Sequence, residues 1–147
     1  MIFPAISIRQ PWAEAILSCG KDVENRSWKC PQKYIGRTIL LHTGKNVDRF
    51  VNTEIYYPEL HKRVLGGYNT GKIDSPRTGG IVGAFVIVSD GSAAHDVNNK
   101  WADPLCYQWR LALAVRIPFF PCKGRLRFFE VDYPDAFQVG LTPESIV

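Results

Sequence analysis

The 147-residue sequence predicts a small α+β fold: a mixed β-barrel of five or six strands with peripheral helices. Three observations carry that expectation. Apolar stretches of strand length recur along the chain, two nearly continuous (Thr38 to His42, Ile81 to Val88) and two alternating (Trp109 to Ile117, Arg125 to Val131). Helical periodicity is confined to short segments between them, which favours a small barrel over a layered parallel sheet. The length suits one domain over 1–147 with a core of its own, and no repeat or low-complexity tract divides it.

In chain order, Ala5 to Ile8 reads as a buried strand. Pro11 follows and suits a first helical position, where its missing N–H would be unpaired anyway. Trp12, Ala15, Ile16 and Cys19 then lie on one helical face, and Gly20 supplies a left-handed stop. If Asp22 to Trp28 is extended, Glu24, Arg26 and Trp28 share one side. Thr38 to His42 is apolar enough to be covered on both faces. A helical insert is expected over 46–67, capped by Asn46, with Val47, Phe50, Val51 and Ile55 on its apolar side. Pro58 starts a second helix there, ended by Gly66-Gly67. Tyr68 to Gly80 is polar and glycine-rich, a mobile loop. Ile81 to Val88 is a covered strand, and Trp109 to Ile117 is a half-buried one with Arg110 and Arg116 on its basic rim. Arg125 and Arg127 alternate with Leu126 and Phe128 into the last strand.

With 46% apolar and 22% charged residues, the composition is that of a globular domain. No apolar run approaches the ~18 residues of a membrane span. Pro4 and Arg9-Gln10-Pro11 break the N-terminal apolar run, which argues against a secretory leader and for a cytoplasmic location. The four cysteines form no CxxC pair, so free thiols are expected and neither a metal site nor a cofactor is implied. A net charge of +4 and a pI near 8.9 are compatible with a polyanionic partner without requiring one.

The segment GKDVENRSW, Gly20 to Trp28, places a lysine, an aspartate, a glutamate and an arginine next to a helix end and a tryptophan. On composition alone the segment reads as a solvated turn, with a Glu24–Arg26 surface pair worth ~0–1 kcal/mol. The neighbourhood suits a phosphate-bearing ligand that stacks its bases. Cations hold phosphate, amides and guanidinium groups read base edges, and indoles offer stacking faces. The candidate nucleic-acid-binding residues are Arg9, Gln10, Lys21, Asn25, Arg26, Trp28, Arg110 and Arg125. Trp12, on the apolar helix face, is assigned to the core.

The elements SIRQPWAEAILSCGKDVENRSW, YIGRTILLHTGK, GGIVGAFVIVSD and PCKGRLRFFEV, in that order, resemble the ASCH domain, the module named for homology to activating signal cointegrator 1. The resemblance implies a barrel related to the PUA RNA-binding domain, with a cleft beside the first helix and RNA or a nucleotide, single-stranded RNA above all, as ligand. Gln10, Trp12, Lys21, Glu24, Asn25, Arg26 and His42 fall on its signature. The family also contains small members that resemble amidohydrolases acting on N4-acetylcytidine, and ribonuclease activity is proposed for others. In the amidohydrolase pattern Lys21 matches the lysine, Glu24 stands where a threonine is expected, and no residue is assigned to the distant glutamate.

Residue chemistry leaves three functions open: a nucleic-acid-binding domain, a hydrolase acting on RNA or a modified nucleoside, and a protein-interaction module with an acidic partner. For an enzyme, Lys21, Glu24 and His42 are the candidate catalytic residues. A desolvated lysine is a base or nucleophile, whereas a neighbouring glutamate keeps it charged and suited to phosphate or an oxyanion. That proximity favours an electrostatic role for Lys21.

Overall fold

The apolar stretches become strands because each can bury at least one face. The structure, a computed structural model, describes residues 1–72, 75–93, 98–134, 136 and 138–144. Six strands, β1 (Ile2–Ser7), β2 (Val23–Arg26), β3 (Thr38–Thr43), β4 (Gly80–Ser89), β5 (Tyr107–Pro121) and β6 (Phe128–Asp132), form one mixed sheet in the order β2-β5-β4-β3-β1-β6. Among the described residues, β1–β3 is the one parallel pair of these strands. Among the described residues three short α-helices accompany the sheet, α1 (Trp12–Ser18), α2 (Thr53–Tyr56) and α3 (Pro58–Val64), with one 3-10 turn at Gln32–Tyr34.

All six residues of β3 are buried, which agrees with its continuous apolar run. Ile39 and Leu41 join Ile6, Ile16, Phe85 and Trp109 on the side covered by α1, while Leu40 joins Phe3, Ile81 and Tyr133 on the other. Close approach of α1 requires Gly83, since a Cβ there would sit 2.6 Å from Leu17 Cδ2 and 2.7 Å from Val115 O.

Among the described residues no backbone ladder joins β2 to β6, so the sheet is open where the sequence predicts a closed barrel. Side chains fill the space between the two ends instead. Phe128 of β6 stacks on Trp109 of β5 at 5.8 Å and 7°, with Trp28 edge-on to both. Arg26 of β2 reaches across to the Ser7 carbonyl of β1 at 2.8 Å.

The insert also departs from expectation. Its helix begins at Thr53, capped by Asn52, because the Asn52 side chain accepts from the Ile55 amide. Asn46 caps no described helix; the chain beside it is drawn onto the segment that leads into α1, with Val47 bridged to Gln10 and the Asp48 amide bonded to Gln10 O. Phe50, expected on an apolar face, is fully exposed. The loop over 68–80 is pinned by bonds from Asn69 to Thr78 and from Gln10 and Thr43 to Arg77 O; residues 73–74 lie outside the described residues. Strand β5 extends well beyond its predicted limits at both ends, whereas Arg125 and Arg127 fall in the loop before β6 rather than in a strand. The four cysteines are free, as expected.

Candidate nucleic-acid interface

Gly20, at φ +72°, turns the chain sharply at the end of α1. Across that turn the Lys21 amide donates to Ala15 O, so it is the Lys21 backbone that satisfies the helix end, leaving the side chain to enter a cleft. There its ammonium is buried, donates to Val23 O, and lies 3.8 Å from Glu24 Oε1. Glu24 Oε2 is 3.3 Å from Arg26 Nη2. Strand β2 puts Glu24 and Arg26 on one side, as the alternation predicts. Burial lowers the Lys21 pKa and outweighs the opposing pull of Glu24. Glu24 acts in the direction expected of it, favouring the charged ammonium, while desolvation acts against it and is the larger influence.

Lys21, Glu24 and Asn25 line a cleft of about 480 Å³ together with Trp12, Tyr57, and the segment from Lys100 to Pro104. Its aromatic wall is Tyr57 stacked on Trp101 at 4.8 Å and 8°, with Trp12 edge-on to Tyr57 and Lys100 Nζ 4.9 Å from the Trp101 ring. Asn25 holds this wall: its Nδ2 donates to Trp101 O at 2.8 Å, and its Oδ1 accepts from the Asp103 amide at 2.9 Å. A second cleft of about 270 Å³ shares Trp12, Glu24 and Asn25 with the first and adds Ser7, Arg9 and Arg26. A third, of about 320 Å³, shares Ser7, Arg9 and Arg26 with the second and adds Lys45, Arg125 and Arg127. The three form one path that starts at aromatic and mixed-charge walls and ends at cations.

Of the sequence-predicted residues, Arg9, Lys21, Glu24, Asn25, Arg26 and Arg125 thus come together. Gln10 does not face the path; it is buried, with Oε1 accepting from the Glu14 amide and Nε2 donating to Arg77 O. Trp28 packs on Trp109 and Phe128, under the Arg127 guanidinium at 4.5 Å, and so closes the core rather than offering a free stacking face. Arg110 sits on β5 opposite Val23 and is not among the residues lining the three clefts. His42 is also behind the path, buried and bonded to Ser7 and to Cys122 O. Trp12, assigned to the core, packs there and lines the first cleft as well.

Sequence reasoning missed Tyr57, Lys100, Trp101 and Lys45. A signal existed for one of them, because Trp101 lies between Lys100 and Asp103 much as Trp28 lies among charges. Tyr57 gives no such signal; only the fold brings it to Trp101.

A protein-family model described as the ASCH domain matches residues 6–109, and no curated protein matches the chain. The matched region contains the first two clefts and stops before Arg125 and Arg127 of the third.

Proposed function

This chain belongs to the ASCH domain family, a family generally associated with RNA binding, and on that premise we propose that it binds single-stranded RNA along the joined clefts. The observation that carries this reading is the change of character along one path. The first cleft has aromatic walls and paired charges at its floor, suited to one extruded base. The third carries Arg9, Arg26, Lys45, Arg125 and Arg127 with no carboxylate among its lining residues, suited to the phosphates that follow. Lys21 and Glu24 together offer a donor and an acceptor to a base edge, and Asn25 acts by holding the Trp101 wall.

Titrating labelled single-stranded RNA, single-stranded DNA and duplex RNA against the protein at low salt tests this. Single-stranded RNA is expected to bind tightest. No binding to RNA at low salt overturns the reading and returns the surface to a protein partner. A hydrolytic reading is favoured by one observation, the burial of the Lys21 amine beside the cleft, which lowers its pKa in the direction a lysine base or nucleophile needs. RNA and N4-acetylcytidine recovered intact after incubation would leave binding alone.

A further inference from the structure

RNA binding leaves unused one pair of groups just behind the path. Ser7 and His42 are register partners across the parallel β1–β3 ladder, at the C-terminal ends of both strands. Ser7 Oγ lies 2.7 Å from His42 Nδ1, and His42 Nε2 lies 2.9 Å from Cys122 O. A carbonyl oxygen only accepts, so Nε2 carries the proton, Nδ1 is left as an acceptor, and the Ser7 hydroxyl donates to it. A serine hydroxyl on a neutral imidazole, with the ring oriented by a third group, is the arrangement that activates a serine nucleophile. Burial lowers the His42 pKa and outweighs the opposing effect of the Cys122 bond, which keeps the ring in its base form at neutral pH.

Three features surround the pair. Ser7 is half-buried and lines the second and third clefts with Arg9 and Arg26. Arg26 Nη2 donates to the Ser7 main-chain carbonyl at 2.8 Å, so the same residue that carries the hydroxyl is held by a cation. Gly124 passes directly over the pair, and a Cβ at that position would lie 2.6 Å from His42 Cε1 and 2.7 Å from Ser7 Oγ. Only glycine lets the loop between β5 and β6 close on the hydroxyl–imidazole bond without parting it.

The geometry points to a second activity for this chain: Ser7 and His42 form a hydrolytic dyad that acts on acyl esters carried by a nucleotide. Esters fit because an alcohol leaves more readily than an amine from a dyad with no carboxylate behind its histidine. The nucleotide half rests on the RNA-binding reading, since Ser7 opens onto the cations assigned to phosphate. Ser7 Oγ attacks the ester carbonyl carbon while its proton passes to His42 Nδ1. Arg26, held at the Ser7 carbonyl, is the cation assigned to the tetrahedral oxyanion. Its collapse breaks the bond to the alcohol oxygen, which leaves with the proton from Nδ1. Water then attacks the acyl-serine, gives its proton to His42, and releases the carboxylic acid as Ser7 recovers that proton.

Incubating the full chain with a fluorophosphonate, followed by intact mass and peptide mapping, tests the dyad. A single adduct on Ser7 is expected, absent in Ser7→Ala and slowed at least about a hundredfold in His42→Gln. Should His42→Gln fail to fold, the adduct map and the Ser7→Ala comparison decide alone. The wild type is also expected to release acetate from a 3′-O-acetyl nucleoside monophosphate faster than from the same 3′-O-acetyl nucleoside without its phosphate at equal concentration. No adduct on Ser7, in a preparation that still binds RNA, overturns the dyad and leaves the RNA reading standing. An adduct on Ser7 without preference for the nucleotide ester keeps the dyad and overturns the nucleotide half.

Discussion

Lys21 and Asn25 sit side by side in the first cleft and do different work. Lys21 is buried with one firm acceptor, Val23 O, and one distant counter-charge, Glu24 at 3.8 Å. Replacing it by methionine removes a charge that burial disfavours, at the loss of a donor to Val23 O, while Glu24 keeps Arg26. These effects oppose each other, so Lys21→Met is expected to leave unfolding free energy within about 1 kcal/mol of wild type. Single-stranded RNA affinity should nonetheless fall at least tenfold, roughly 1.4 kcal/mol. A variant that binds normally, or one that unfolds, would make Lys21 a structural residue. Asn25 lines the cleft and also holds its wall. Asn25→Ala deletes two hydrogen bonds, expected to cost about 1–3 kcal/mol. It should also speed amide hydrogen exchange at Asp103, whose N–H is given to Asn25. Unchanged exchange at Asp103 would show that the segment from Lys100 to Pro104 is held by other contacts.

At the level of elements, α1 and the sheet meet where Gly83 leaves no side chain. Gly83→Ala would press a methyl group against Leu17 and against the Val115 carbonyl, and backbone cannot step aside as a side chain can. A destabilisation of about 1–3 kcal/mol is expected, read from denaturant midpoints. Leu17→Ala added to it should recover only part of the loss, because the Val115 oxygen remains; full recovery would mean the backbone contact is relieved by a small shift. Strands β3 and β4 were legible because a continuous apolar run has few other destinations than a covered strand. The insert was misread for a local reason. Asn46 and Asn52 carry the same capping chemistry, and only the bridge from Val47 to Gln10 shows that the first is occupied elsewhere. The open sheet was illegible for a different one: Trp28 reads as an aromatic among charges until Phe128 and Trp109 arrive from distant strands and pack against it, leaving it half-buried. The cationic end of the path was half legible, since Arg9, Arg26 and Arg125 announce themselves by type, while Lys45 and Arg127 acquire meaning only through the fold.

Over the whole molecule, the charge is less modest than its net value suggests. Arg9, Arg26, Lys45, Arg125 and Arg127 line one cleft, and setting these five aside leaves thirteen cations against fourteen acids elsewhere. The positive field is therefore local to the path, which is where a polyanion would be steered. Two of the five are partly committed: Arg26 to Glu24 and Ser7, Arg127 to the Trp28 ring. Arg9, Lys45 and Arg125 are exposed and are the cations of this cleft most able to follow a phosphate backbone. If three to five of these side chains contact phosphates, the slope of log affinity against log salt for single-stranded RNA should be roughly −2 to −3.5, about −0.7 per contact. Replacing Arg9 and Arg125 together by glutamine should make that slope shallower by about 1.4 and weaken every RNA sequence to a similar degree, because phosphate contacts carry no base information. The Lys21→Met variant should behave in the opposite manner, losing affinity at every salt concentration with little change in slope if Lys21 meets a base edge. Equal slopes in wild type and the Arg9/Arg125 variant would place the phosphates away from the third cleft, and a steep change of slope on losing Lys21 would place them at the first.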